Sequence, residues 1–242
     1  MTTPEDVAFF RRNGYLLPSE PLLPEDRLQQ LTRLFEEHLA DRGSKLSDEL
    51  DTPHFHDPRL LEFLLADDIL DVVEPLTGPD ILLWSSHFIS KEPGVGRATP
   101  WHTDSDYWDG RLSDDSRIVT VWLSLDGSDT ENGCMRVIPG SHMDREAPNY
   151  VPVPSETNTF GREMQDVEES AAVDFVLRRG QASLHDGRIV HGANPNTSTR
   201  RRTGYTMRYL PANVRLIPER NHGHLVWLAR GRDGAGNTYQ NA

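Results

Sequence analysis

The chain has 242 residues, of which 36% are hydrophobic and one is cysteine, and it carries a net charge of -13. That length suits one large domain spanning 1–242, and the acidic balance argues against a nucleic-acid binder, which needs a basic face for phosphates. A lone Cys134 excludes an intramolecular disulfide, the opening MTTPEDVAFFRRNG lacks a signal-peptide plan, and no apolar run approaches the ~20 residues of a membrane span, so a cytoplasmic protein without a membrane partner is expected.

In chain order, Thr3, Pro4 and the acids after them predict a helix over 3–13. Pro24, Glu25 and Asp26 start a second helix, with Leu28, Leu31, Leu34 and Phe35 at helical spacing, running to about Ala40. A third helical stretch covers 57–76, with a break near Ala66–Asp67. Residues 1–78 thus form a mostly helical outer layer. The pattern then changes to strands. ILLWSSHFIS (81–90) reads as one, and IVTVWLSL (118–125) alternates, with Val119, Val121, Leu123 and Leu125 on one face and Thr120, Trp122 and Ser124 on the other. Further strands are expected at 134–138, 173–177, 182–185, 188–191 and 203–210, separated by turn-forming residues. Short strands at such spacing predict a mainly β protein with flanking α-helices, a jelly-roll or barrel core over 79–242. Segments 105–117 and 143–170 carry little periodicity and are candidate lids.

The chemistry centres on Trp101-His102-Thr103-Asp104. In extended backbone, residues two apart point the same way, so His102 and Asp104 offer an imidazole and a carboxylate to one ion. A second imidazole from a distant strand completes a two-histidine, one-carboxylate face, which leaves open positions on an octahedral metal and suits iron(II) oxygenases. Of the ten histidines, His38 reads as solvated surface on the second helix; His54, His56, His222 and His224 lie in polar loops. His87, His142, His185 and His191 remain as partners. His191 ends an apolar strand, precedes the turn-rich Gly192-Ala193-Asn194-Pro195-Asn196, and is followed by Arg200-Arg201-Arg202 leading into TGYTMRYL. An arginine fork there suits the far carboxylate of a chelating diacid.

WHTD (101–104), VWLSLD (121–126), ENGCMRVIPGSH (131–142) and SLHDGRIVHGANPNTSTRRRTGYTMRY (183–209) together resemble the phytanoyl-CoA dioxygenase family of iron(II)/2-oxoglutarate oxygenases. GYLL near residue 14 and SKEPG (90–94) also fit. The resemblance covers most of the chain and implies a double-stranded β-helix with iron at its open mouth. By it, His102, Asp104 and His191 match the catalytic metal ligands. Arg202, eleven residues after His191, matches the arginine that pairs with 2-oxoglutarate, with Arg201 and Arg200 as rivals. Trp122 matches a pocket-wall residue near the cosubstrate, Thr120 shares its face, and His87 stands where a further cosubstrate contact is placed. Ala193 departs from the family, which often has serine there.

Tyr107 and Trp108 follow the metal motif and are candidate substrate contacts, as are Arg136 and Arg208; packing roles, or pairing with an acid for the arginines, are the alternatives. Trp122 reads equally as core filler. His142 is expected beside the lid, capping backbone, and His185 as a support for the ligand shell. Cys134 reads as a small buried hydrophobe. The resemblance implies hydroxylation of an unactivated C–H bond of a small molecule, with 2-oxoglutarate and O2 consumed and succinate and CO2 released. The carboxylate Asp104 favours hydroxylation over halogenation, and desaturation or ring closure stays open. The acidic lid favours a small polar or secondary-metabolite substrate over a CoA ester. Rival readings are a cupin-like metal-dependent hydrolase or isomerase, which needs no Arg202, and a non-catalytic 2-oxoglutarate sensor. Nothing in the sequence specifies an oligomeric interface.

Overall fold

The structure, a computed structural model, describes residues 2–114, 116–144 and 148–241; residue 115 of the first expected lid and residues 145–147 of the second lie outside the described residues. The first helix, α1 (Pro4–Asn13), begins in a reciprocal cap: the Asp6 amide donates to the Thr3 hydroxyl at 3.2 Å and the Thr3 amide donates to the Asp6 carboxylate at 2.8 Å. It ends at Gly14, whose left-handed φ of 79° turns the chain into β1 (Tyr15–Leu16). A side chain there is excluded twice, since a Cβ would also lie 2.5 Å from the His142 imidazole. Helix α2 (Glu25–Ala40) buries Leu28, Leu31, Leu34 and Phe35, the stripe its spacing predicts. The third helical stretch is interrupted: a 3₁₀ turn at Pro58–Leu60 leads into α3 (Leu61–Leu64), and α4 (Asp67–Thr77) follows the break at Ala66.

The remaining strands are β2 (Leu50–Asp51), β3 (Ile81–Lys91), β4 (Thr99–His102), β5 (Val119–Ser124), β6 (Met135–Val137), β7 (Tyr150–Pro152), β8 (Arg162–Met164), β9 (Val173–Asp174), β10 (Ala182–Asp186), β11 (His191–Ala193), β12 (Arg202–Pro211) and β13 (Trp227–Arg230). Among the described residues they form a large antiparallel sheet in the order β1-β10-β5-β12-β3-β13, with β2 added on β3. A smaller sheet runs β4-β11-β6-β9, and β7 and β8 make a separate hairpin. This is the expected mainly β, jelly-roll class with helices outside, and the strand pairing does not run on from one sheet into the other. The expected strand at 188–191 is displaced: the ladder starts at His191, because 187–190 turn the chain from the large sheet to the small one. The edge strands β1, β2 and β13 are too short or too irregular to declare themselves by alternation.

The long strands of the large sheet are buried on both faces. Val119, Val121 and Leu123 of β5, with Tyr205, Met207 and Tyr209 of β12, join the core under the helices. The intervening residues, Thr120 and Trp122 on β5 and Arg202, Gly204, Thr206 and Arg208 on β12, therefore face the opposite way, into the interior between the sheets. Register aligns them: Thr206 lies opposite Trp122, and Arg208 opposite Thr120. On the other side of β12, His87 is the partner of Thr206 and Lys91 of Arg202.

Three histidines differ from the sequence expectation. His38 is half-buried, with its Nε2 3.1 Å from Asp57 Oδ2, so it is no bare surface residue. His54 is buried, with its Nδ1 2.7 Å from the Ser86 hydroxyl. His142 packs against α1 rather than the lid, with its Nε2 3.1 Å from the Arg11 carbonyl.

Candidate active site

His102 ends β4 and His191 opens β11, and the two are direct partners in the antiparallel ladder. That register sets their rings 4.1 Å apart, centroid to centroid. Each ring makes the same contact, Nδ1 to the backbone carbonyl two residues earlier: Pro100 at 2.8 Å and Ile189 at 3.0 Å. A carbonyl only accepts, so both imidazoles carry the proton on Nδ1 and turn the Nε2 lone pair inward. Asp104 does not continue the extended strand: its backbone is helical (φ -62°, ψ -41°), and the Ser105 amide anchors the turn on the Gly187 carbonyl at 2.8 Å. One donor atom from each of His102, Asp104 and His191 still falls within 4.8 Å of the others.

The carboxylate is oriented from behind. Thr120 Oγ1 donates to Asp104 Oδ2 at 3.3 Å, and Arg208 Nε donates to the same oxygen at 3.2 Å. Oδ1 takes a longer contact from Arg208 Nη2 at 3.5 Å and lies 3.9 Å from His102 Nε2. Burial opposes the charge on Asp104, but the Arg208 guanidinium and the surrounding imidazoles outweigh it and hold the carboxyl well below the usual range. Burial pushes His102 down and His191 well down, so both are neutral at pH 7. The three donors are therefore in the protonation state a divalent metal requires.

The large sheet supplies the other wall of the same cavity, through His87, Trp122, Arg202, Thr206 and Arg208. Arg202 is 2% exposed, and its guanidinium lies 4.5 Å from the centre of the Trp122 ring. Its Nε has no hydrogen bond and no carboxylate pairs with it among the described residues. Burial lowers its pKa to about 10. The rival arginines differ: Arg200 pairs with Asp129 and Glu131, and Arg201 with Asp126 and Glu36. A cation buried without a counter-anion is costly, so the donor set fits a metal chelated by a diacid whose far carboxylate reaches Arg202. Lys91, beside Arg202 in register, is buried but satisfied, its Nζ donating to the Asn194 carbonyl at 2.7 Å.

Not every candidate arrives. Arg136 sits between the apolar Met135 and Val137 of β6, faces away from the cavity, and pairs with Asp174 at 3.1 Å and Glu169 at 3.2 Å. Alternation along β6 carried that signal. Tyr107 reaches the rim, 5.8 Å from the His102 ring, while Trp108 is buried beneath Arg208, 5.1 Å from its guanidinium. The structure adds residues the sequence did not single out. Phe160, in the turn of the β7–β8 hairpin, lies edge-on to His102 at 4.8 Å and covers the metal-ligand cluster. The hairpin is fastened by Tyr150, which donates to Asp106, and by Arg162, stacked over Tyr107 and Tyr150. His185, which the sequence did single out as a support for the ligand shell, faces the cluster from the other sheet, its ring 5.0 Å from His191 and neither nitrogen bonded.

Residues 10–204 match the model of the phytanoyl-CoA dioxygenase (PhyH) family. Among characterised relatives, the peroxisomal phytanoyl-CoA dioxygenase of Homo sapiens is 30% identical over 166 residues, 66% of this chain and 48% of that protein, so the chain spans about half its length. Among solved structures, the non-heme monooxygenase ThoJ in its apo form superposes with a TM-score of 0.80 at 25% identity, covering 97% of this chain and 87% of that one. SnoK, a non-heme alpha-ketoglutarate-dependent carbocyclase of nogalamycin biosynthesis, gives a TM-score of 0.74 at 25% identity, covering 98% and 94%. The family match takes in His102, Asp104, His191 and Arg202 along with most of the fold, and the chain belongs to the phytanoyl-CoA dioxygenase family.

Proposed function

We propose that this protein is an iron(II)/2-oxoglutarate-dependent oxygenase that hydroxylates an unactivated C–H bond of a small molecule. One observation carries the reading: a converged His102–Asp104–His191 donor set shares a cavity with Arg202, a buried cation with no counter-charge among the described residues. Bound iron and 2-oxoglutarate supply the oxidising chemistry, reducing O2 as the cosubstrate is converted to succinate and CO2. The residues do the rest. His102 and His191, with tautomers fixed by backbone carbonyls, and Asp104, with its outer oxygen held by Thr120 and Arg208, bind the metal on one face. Arg202 takes the distal carboxylate of the diacid on the Trp122 platform. Phe160 excludes water from the ligand side.

A chamber of about 400 Å³, lined by both aromatic and charged side chains, adjoins the metal-ligand cavity and shares Asp104, Arg208 and Phe160 with it. That volume suits a small molecule. A CoA ester brings several phosphates, and Arg97 and Arg208 in this region are already paired with acids. Both points support a small, secondary-metabolite-like substrate. The likeness to SnoK, a carbocyclase, keeps ring closure as a second outcome. Product mass separates the two: hydroxylation adds one oxygen atom, ring closure removes two hydrogens.

The test is anaerobic addition of iron(II) and then 2-oxoglutarate to metal-free protein. The expected result is a weak visible charge-transfer band that needs both. Bound iron without the band overturns the cosubstrate assignment and favours the hydrolase or isomerase reading. A band without succinate release across a substrate panel in air supports the sensor reading.

A further inference from the structure

The outer chamber carries a charge pattern that the metal chemistry does not use. Four of its charged groups are committed: Asp48 and Glu49 pair with the neighbouring Arg97 at 2.6 Å and 3.2 Å, and Arg208 pairs with Asp104 at 3.2 Å. Arg111 is different. Its Nε donates to Asn221 Oδ1 at 3.0 Å, Asn221 Nδ2 donates back to the Arg111 carbonyl at 2.7 Å, and the guanidinium lies 4.7 Å from the Trp84 ring. Among the described residues no carboxylate lies within 4.0 Å of it, and both terminal nitrogens are without a hydrogen bond. The fork is half-buried and rigidly presented, with its outer two nitrogens free to receive a ligand. Around it, Phe55, Tyr107, Phe160 and His224 offer partly exposed ring surface.

We propose that the outer chamber is the substrate site and selects a planar, unsaturated molecule bearing a carboxylate or similar oxyanion, which docks on Arg111 and lays its rings against Phe55, Tyr107 and Phe160. Asp51, at the rim, is an opposing charge: its side chain is 66% exposed and 4.0 Å from His87 Nδ1. It weakens anion binding without cancelling it, because an exposed carboxylate is screened while the half-buried fork is screened less. The proposal rests on the oxygenase reading only in calling the occupant a substrate.

Calorimetric titration tests it with three probes of one shape, 1-naphthoate, 1-naphthylmethanol and 1-naphthylmethylamine. They are added to the full chain loaded anaerobically with iron(II) and 2-oxoglutarate, and separately to the metal-free chain. Naphthoate is expected to bind about tenfold more tightly than the alcohol, the worth of one charge-assisted hydrogen bond. Arg111→Gln should erase that preference while leaving the alcohol within about twofold, which also reports an intact pocket; Arg202→Met should preserve the preference. Asp51→Asn, an exposed change that leaves the fold alone, should tighten naphthoate alone. Equal affinities, the amine binding tightest, a preference that survives Arg111→Gln or vanishes with Arg202→Met, an unmoved Asp51→Asn, or no saturable binding of any probe each overturns the proposal. A missing charge-transfer band with the naphthoate preference intact in metal-free chain overturns the cosubstrate, not the chamber; the reverse overturns the chamber alone.

Discussion

Arg202→Met is expected to make the ligand-free protein more stable and to disable it. Arg202 is 2% exposed, and its guanidinium has no protein counter-anion among the described residues. Burial lowers its pKa from the usual arginine range to about 10, which corresponds to roughly 3 kcal/mol of unfavourable desolvation in the empty fold. The stack on Trp122 at 4.5 Å returns about 0.5–2 kcal/mol of that. Methionine keeps the apolar stem, removes the charge, and should leave a net gain of about 1–2 kcal/mol. At this chain length each kcal/mol moves Tm by about 2–4 °C, so the rise should be roughly 2–8 °C. Binding goes the other way: loss of a buried, hydrogen-bonded charge partner costs about 2–5 kcal/mol, or roughly 30-fold to several thousand-fold in Kd for 2-oxoglutarate. Wild type at a hundred times Kd should gain about 2.7 kcal/mol from the ligand, and the variant almost none. Thermal unfolding of both proteins, metal-loaded and oxygen-free, with and without 2-oxoglutarate, reads both quantities. A variant less stable when empty refutes the uncompensated charge, and a ligand shift that survives moves the anchor elsewhere, with Lys91 the nearest cation in register.

Thr120→Val removes one of the donors that fix Asp104 Oδ2, and iron(II) affinity should fall about tenfold, the low end for a group supporting a metal ligand; competition with a chelator measures it, and unchanged affinity refutes the orienting role. Gly204→Ala places a Cβ 2.0 Å from Trp122 Cζ2, so the indole must move and Arg202 loses its platform. The variant should be destabilised by about 1–3 kcal/mol or more and bind 2-oxoglutarate more weakly; a native Tm and affinity would refute the packing argument. Acid should destabilise the ligand-free fold through His54 and His224, which burial depresses to about 3 and about 4. Their folded values lie below the unfolded 6.5, so the unfolded chain takes up protons first, and stability present above pH 6.5 is lost as pH falls. Between pH 6.5 and 5 the loss is at most roughly 2 kcal/mol per imidazole, and a flat denaturation midpoint across that window contradicts it.

The legible parts of this fold are those where one physical rule dominates. Alternating residue type announced β5, which has one face under the helices and one in the cavity. The helical spacing of Leu28, Leu31, Leu34 and Phe35 announced α2. His102, Asp104 and His191 were legible through short motifs in chain order, although the geometry that joins them is less simple than alternation. Asp104 turns in helical backbone, and the two histidines meet because two strands far apart in sequence pair in register. His185 illustrates what local pattern misses. It lies on β10 of the large sheet and His191 on β11 of the small one, yet both rings reach the same space. Phe160 sits in a hairpin turn without periodicity, and its place over His102 depends on Tyr150, Arg162 and Asp106 from distant segments.

Charge shows the same division between bulk and site. A net charge of -13 bears on partners with large anionic surfaces, but it does not describe the interior. Arg136, Arg200, Arg201 and Arg230 are each tied to acids at or near the surface, where the excess of carboxylates makes pairing easy. Arg200-Arg201-Arg202 is uniform in sequence, and only strand register separates its members: Arg202 opens β12 and lies on the inward face with Thr206 and Arg208, while its two neighbours lie outside the strand. An acidic protein can therefore hold a dianionic cosubstrate, because folding withholds one arginine from the acids around it. The desolvation that Arg202 bears in the empty protein is what a bound carboxylate relieves. The buried cation that lowers stability is, for that reason, the clearest mark of where the ligand belongs.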